Sequence, residues 1–199
     1  LKSHHNKKEG IMLINSASHY FEEFFKSLTA ATATCNEAVE SVVAHLLENS
    51  KAGKKVIVIG NGGSAAIAIH ALLDYAHAGG LKTIDFMSPA MLTCMANDYG
   101  YENVFARPVK LFAKEDDVLF AISSSGKSPN ILKACEAARF GECYIVTFSG
   151  FSSDNPLRKL GDVNFYVPSN HYGFVEIAHQ ALVHCILDIF VERTKQKKC

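Results

Sequence analysis

The sequence predicts an α/β fold: a three-layer αβα sandwich around a five-stranded parallel sheet, preceded by an N-terminal helical hairpin. Three observations carry this. Continuous apolar runs rich in β-branched residues recur five times, as strands buried on both faces do. Segments with apolar residues at helical spacing lie between them, and strands alternating with helices make βαβ units on a parallel sheet. Finally, 199 residues, 48% of them hydrophobic, are enough for one domain with a substantial core.

Residues 1–14 read as a flexible extension, because the first ten are polar and basic, and 15–199 read as a single domain. Over 15–50 the apolar positions Phe21, Phe24, Phe25 and Leu28, then Val39, Val42, Val43, Leu46 and Leu47, recur at helical spacing. They predict two helices separated near 32–36, with the aromatics Tyr20, Phe21, Phe24 and Phe25 read as core. The pattern then changes to Lys54-Lys55-Val56-Ile57-Val58-Ile59, a strand ended by Gly60. Further strands are predicted at 83–87, 117–123, 144–149 and 163–167. Helices are predicted at 64–77, 89–97, 129–139 and 156–160, with a long closing helix over 173–194.

Twenty Lys+Arg against twenty Asp+Glu leave no net charge. With that composition the chain is not intrinsically disordered, nor a nucleic-acid binder working through bulk positive charge. No apolar run approaches a membrane span of about 20 residues, and no secretory signal pattern opens the chain, so no membrane partner is expected. The six cysteines form no CxxC pair, and Cys94, Cys135, Cys143 and Cys185 lie in apolar segments. They read as reduced, buried thiols of a cytoplasmic protein.

In parallel sheets of this kind ligands bind beyond the carboxyl ends of the strands, so the loops after Ile59 and Ile122 are the ones that matter. The first is Gly60-Asn61-Gly62-Gly63-Ser64-Ala65-Ala66, from strand into helix. Glycines there let a ligand approach the backbone, and a helix N-terminus offers unpaired N–H groups to an anion. Gly60, Gly62 and Ala65 also fit the dinucleotide pattern GxGxxG/A. Its acidic partner should close the next strand, whereas Asp85 is placed inside that strand, so no nucleotide cofactor is expected. The second loop, Ser123-Ser124-Ser125-Gly126-Lys127-Ser128, imitates the end of a Walker A motif, but the glycine required five positions before Gly126 is Ala121. Four serines within six residues exceed what helix capping requires. Two such loops on one sheet edge point to a phosphate held by hydroxyls and amides.

Gly60-Asn61-Gly62-Gly63-Ser64-Ala65, then Ala96-Asn97-Asp98-Tyr99-Gly100-Tyr101, Val104-Phe105-Ala106-Arg107 and Ile122 to Asn130 occur in that order. Together they resemble the sugar isomerase (SIS) domain, and within it the phosphoheptose isomerase branch, over nearly the whole chain. The resemblance implies a flavodoxin-like topology and a sugar phosphate as substrate. It implies phosphate contacts at Ser64, Ser123, Ser125 and Ser128, and further substrate contacts at Asn61, Gly62, Gly63, Asn97, Asp98 and Ser124. It also implies a homotetramer whose sites are completed by neighbouring subunits.

His70 and Asp74 are four apart on one predicted helix and share a face. Glu176 and His184 are eight apart on the last helix and can line one cleft, with His179 between them read as a core or interface histidine. In the family the corresponding four positions line the site and bind zinc in some members. The resemblance thus implies a zinc site of His70, Asp74, Glu176 and His184, a donor set suited to tetrahedral coordination. It implies aldose–ketose isomerisation through a cis-enediol, with Asp74 as the carbon base and His184 as the acid, or the two roles exchanged. The chain departs from the family pattern at Asp74 for Glu, Glu176 for Gln, Ala78 for Arg, Gly173 for Asp and Phe174 for Arg. The phosphate grip is kept while the sugar-facing shell is rewritten. That leaves the exact sugar phosphate open, and with it a second reading: a noncatalytic phosphosugar-binding protein with a regulatory or partner-binding role. Retention of His184 favours the enzyme.

Overall fold

The computed structural model describes residues 14–196; all but one residue of the expected 1–14 extension lies outside them, as does Cys199. Five strands, β1 (Lys55–Gly60), β2 (Lys82–Asp85), β3 (Val118–Ser123), β4 (Tyr144–Ser149) and β5 (Val163–Tyr166), form one sheet in the order β2-β1-β3-β4-β5. All four pairings are parallel. Chain direction across the sheet therefore reverses between β1 and β3, where Gly60 pairs with Ile122. Such a reversal opens a crevice at the carboxyl edge, and both Gly/Ser loops emerge into it.

Helices α1 (Ala17–Thr32) and α2 (Asn36–Lys51) form the N-terminal pair, and α3 (Gly63–His77) follows β1. α4 (Pro89–Tyr99) and α5 (Ala106–Phe112) connect β2 to β3, α6 (Pro129–Phe140) connects β3 to β4, and α7 (Tyr172–Gln196) closes the chain. The starts follow local chemistry. Ser16 Oγ accepts from His19 N, Ser88 Oγ accepts from Met91 N, and Pro89 and Pro129 stand in first turns where no N–H is needed. One face of the sheet is packed by Val39, Val42, Val43 and Leu46 of α2, Ala71 and Tyr75 of α3, and Leu182, Val183 and Ile186 of α7. The other is covered by Val109 of α5 and Ile131, Ala134 and Cys135 of α6. α7 is long and apolar enough to cross a membrane by length and composition, which the search for continuous apolar runs missed; half of its most apolar window is buried inside the fold, against α2 and α3.

The structure corrects several expectations. α5 was not foreseen, because a seven-residue segment containing Pro108 carries too little periodicity to register. Residues 156–159 form a 3-10 turn rather than a helix over 156–160. β2 ends at Asp85, not at 87, and the Asp85 carboxylate accepts from Met87 N at 2.7 Å, so that side chain caps its own strand end. Of the α1 aromatics only Phe24 is buried; Phe21 and Phe25 are 54% and 58% exposed, because α1 rests on α7 along one narrow stripe. Cys135 and Cys143 are buried, whereas Cys94 and Cys185 are exposed, since their helices turn those positions away from the sheet.

Candidate functional site

The loops after β1 and β3 line a cavity of about 220 Å³ with Asn61, Gly62, Gly63, Ser64, Ser123, Ser124, Ser125 and Ser128. Gly62 holds φ +54° just before α3, a left-handed conformation that turns the chain sharply into the helix. Gly126 does the same for the second loop at φ +61°. Gly126 N donates to Ser123 O at 2.9 Å, Lys127 N to Ser125 Oγ at 3.2 Å, and the Ser123 and Ser128 hydroxyls are 3.2 Å apart. Asn61 and Asn130 exchange two amide hydrogen bonds of 2.9 Å, fastening one loop to the other. Ser124 Oγ is buried without a partner. A buried hydroxyl without a partner costs free energy, and here it lies at a cavity walled by hydroxyls and the N-terminus of α3. Such a lining suits an anion, and no arginine is among the residues that line the cavity. Glu176 and Tyr172 of α7 form the remaining wall. The Glu176 carboxylate stands over Gly63, where a Cβ would meet it at 2.5 Å, so a side chain at 63 would have to displace that carboxylate.

Further along the same helices, His70 Nε2 lies 3.0 Å from Asp74 Oδ2, and His184 Nδ1 lies 3.7 Å from that oxygen. The two imidazoles meet edge-on at 5.0 Å. Their ligand atoms all fall within 4.8 Å of one another. Two imidazoles and one carboxylate are the donor set of an open, catalytic zinc site, so these three residues fit such a metal. Glu176 is not in this group; it lines the serine-loop cavity at the start of α7. At 1.5 Å rise per residue, His70 and Asp74 lie roughly 9 and 15 Å along α3 from Ser64. His184 Nε2 is met by Gln180 Nε2 at 2.8 Å, a partner that sequence reasoning missed although the two are four apart on α7.

Asn97 and Asp98 are exposed on α4, bonded to each other at 2.8 Å, and do not line the cavity. His179 is fully buried, its Nε2 donating to Ser149 O at 3.1 Å; burial lowers its pKa from 6.5 to about 4. It is a neutral core residue beneath the site. Two of the family departures have a packing reason. A Cβ at Gly173 would fall 2.7 Å from Tyr20 Oη, and Phe174 is buried in a cluster with His171 and Tyr20. At these positions the chain has a cluster of Tyr20, His171 and Phe174. Ala78, at the end of α3, is exposed.

Residues 19–150 match the SIS domain family. A phosphoheptose isomerase of Helicobacter hepaticus is 35% identical over 162 residues, 78% of this chain and 82% of that protein. Among solved structures, a phosphoheptose isomerase from Francisella tularensis superposes with a TM-score of 0.80 at 29% identity, covering 88% of this chain and 96% of the other. One from Neisseria gonorrhoeae superposes equally well at 26% identity, covering 87% and 95%.

Proposed function

The chain belongs to the SIS domain family, and from that premise we propose that it is an aldose–ketose isomerase of sugar phosphates, interconverting sedoheptulose 7-phosphate and an aldoheptose 7-phosphate. One observation carries the reading: the helix pair α3–α7 has a hydroxyl-lined anion cavity at one end and a His–Asp–His cluster farther along. A substrate with its phosphate and its carbonyl at opposite ends of a carbon chain needs two such subsites, held at a fixed separation.

The phosphate is received by Ser64, Ser123, Ser125 and Ser128, with the α3 N-terminus supplying N–H donors and a positive dipole end. Asp74 takes the proton from the carbon beside the carbonyl and returns it to the neighbouring carbon. His184 gives a proton to the carbonyl oxygen and recovers one from the adjacent hydroxyl. Each transfer contributes about 10²–10⁴-fold. His70 holds Asp74 in place through its 3.0 Å contact. His70, Asp74 and His184 would hold a zinc ion, which would supply Lewis-acid polarisation of the carbonyl.

The cluster is open to solvent, with side-chain exposures of 50%, 35% and 39% for His70, Asp74 and His184. Ile69, Leu73 and Ile177 are exposed on the same two helices. Large apolar residues around a catalytic cluster favour a homotetramer in which a neighbouring subunit closes the site. The working unit is 15–199 taken as one domain, because α7, beyond the matched 19–150, supplies His184. A reducing, cytoplasmic setting keeps the exposed Cys94 and Cys185 as thiols.

The test separates the two ends. Asp74→Ala and His184→Ala should each lower kcat at least 10²-fold with phosphate binding retained. Ser125→Ala should raise the Kd for inorganic phosphate about tenfold, the loss of one hydrogen bond to a charged group. Turnover left intact by both triad variants would overturn the assignment.

A further inference from the structure

We propose that Tyr172 is a specificity-determining residue, its ring forming the apolar wall on which the carbons beside the phosphate pack. With it, the serine-loop cavity takes the phosphate monoester of a polyol chain in preference to inorganic phosphate. The inference deepens the isomerase reading and rests on its placing of the phosphate at the serine loops. Hydroxyls and loop amides recognise the phosphate group alone, which inorganic phosphate and every phosphate monoester share. Discrimination between them has to come from the remaining wall. The cavity, about 220 Å³, is smaller than the roughly 300 Å³ at which pockets for whole small molecules begin. It therefore holds one end of a ligand, and the carbon chain leaves across Tyr172 and Glu176.

These two are four apart at the start of α7 and share a helix face. One offers a flat apolar surface and the other accepts hydrogen bonds, which matches the C–H and O–H groups of a polyol. Among the described residues that line the cavity, Tyr172 is the only aromatic one, and at 61% exposure its ring is open to a ligand. The ring is also held. Phe151 meets it edge-on, with centroids 4.8 Å apart. Phe151 lies two residues beyond the end of β4 at φ +58°, in the left-handed region where a bulky side chain is an outlier. Its backbone bonds hold it there: Phe151 N donates to Ser169 O at 2.9 Å, and Phe151 O accepts from Tyr166 Oη at 2.8 Å. Strain of this kind persists only where the surroundings over-determine it, and it clusters at ligand clamps. Phe151 also packs against Val167, Val175 and Ala178, a role that the test below separates from its hold on Tyr172.

The test is calorimetry on the full-length chain with sedoheptulose 7-phosphate, glycerol phosphate and inorganic phosphate, with urea unfolding to confirm that each variant folds. Tyr172→Ala should raise the Kd of both esters about tenfold, the loss of roughly 50 Å² of apolar contact, and leave inorganic phosphate within about twofold. Tyr172→Phe should bind all three as wild type does. Phe151→Gly, which suits the left-handed backbone and removes the ring, should weaken the esters by about threefold, and add nothing in the Tyr172→Ala background. No loss in Tyr172→Ala, or an equal loss for inorganic phosphate, overturns the proposal, the second because it marks a change in the serine loops themselves. The same loss in Tyr172→Phe overturns it too, by assigning the effect to the hydroxyl. Additive losses in the double variant overturn the part given to Phe151. Wild type that binds inorganic phosphate but neither ester also overturns the proposal. The expected binding pattern without turnover of sedoheptulose 7-phosphate would sink the isomerase reading and leave Tyr172's role standing.

Discussion

Replacing Gly126 by alanine tests whether the geometry of the second serine loop is what grips phosphate. Gly126 holds φ +61°, a left-handed conformation that costs an L-residue roughly 1–2 kcal/mol. A Cβ there would also fall inside the Asn155 carboxamide, with Asn155 Cβ itself only 2.9 Å away. Asn155 cannot step aside. It is fully buried, its Nδ2 donates to Gly150 O at 3.1 Å and Ser152 O at 2.8 Å, and its Oδ1 accepts from Arg158 N. Forcing a methyl group into such a contact typically adds 1–3 kcal/mol. Gly126→Ala should therefore destabilise the fold by about 2–5 kcal/mol. In urea at fixed protein concentration, with a slope of about 2 kcal/mol/M, the unfolding midpoint falls by about 1–2.5 M. Calorimetry with inorganic phosphate should show weakened binding as well, because Ser123, Ser125 and Ser128 are spaced by this turn. A midpoint shift below about 0.3 M with phosphate affinity unchanged would refute the reasoning.

Glu176 lines the serine-loop cavity and has no ion-pair partner among the described residues, so on the proposed reading Glu176→Gln should tighten inorganic phosphate by about fivefold, roughly the 1 kcal/mol of a close, water-screened charge pair. An unchanged or larger Kd in calorimetry would contradict it. His179, neutral and buried with its pKa lowered from 6.5 to about 4, makes stability depend on pH. The unfolded chain binds the proton first, so stability falls as pH drops from 6.5 to 4, by about 3 kcal/mol in all. His179→Leu should flatten this segment of the urea-midpoint profile; an equally steep fall in the variant would show that other groups carry it.

The sheet, its parallel sense and both Gly/Ser loops were legible because buried parallel strands and Gly/Ser loops write themselves locally in the chain. β1 shows it: Val56 to Ile59 form one apolar run, and all four are buried. His70 and Asp74 were legible through helical spacing alone. What escaped depends on packing between elements. α5 exists because Val109 completes the second core cluster, which no seven-residue pattern states. The grouping of Glu176 with the metal-capable residues was legible only as a shared helix. The structure sets it at the serine-loop end because α7 runs alongside α3, so that Glu176 meets Gly63 and His184 meets Asp74. Gln180 escaped because a glutamine on a helix carries no chemistry of its own until a neighbour's ring nitrogen is known.

The central claim is that a carbon-bound proton beside the sugar carbonyl is removed at Asp74 and exchanged. Its most direct test is incubation of sedoheptulose 7-phosphate with the protein in D₂O, with and without zinc, followed by NMR of the recovered sugar phosphates. Deuterium should appear at the carbon beside the carbonyl together with an aldoheptose 7-phosphate, and neither should appear with Asp74→Ala. No deuterium at that carbon under either condition, while phosphate still binds the serine loops, would contradict the isomerase and favour the noncatalytic sugar-phosphate binder.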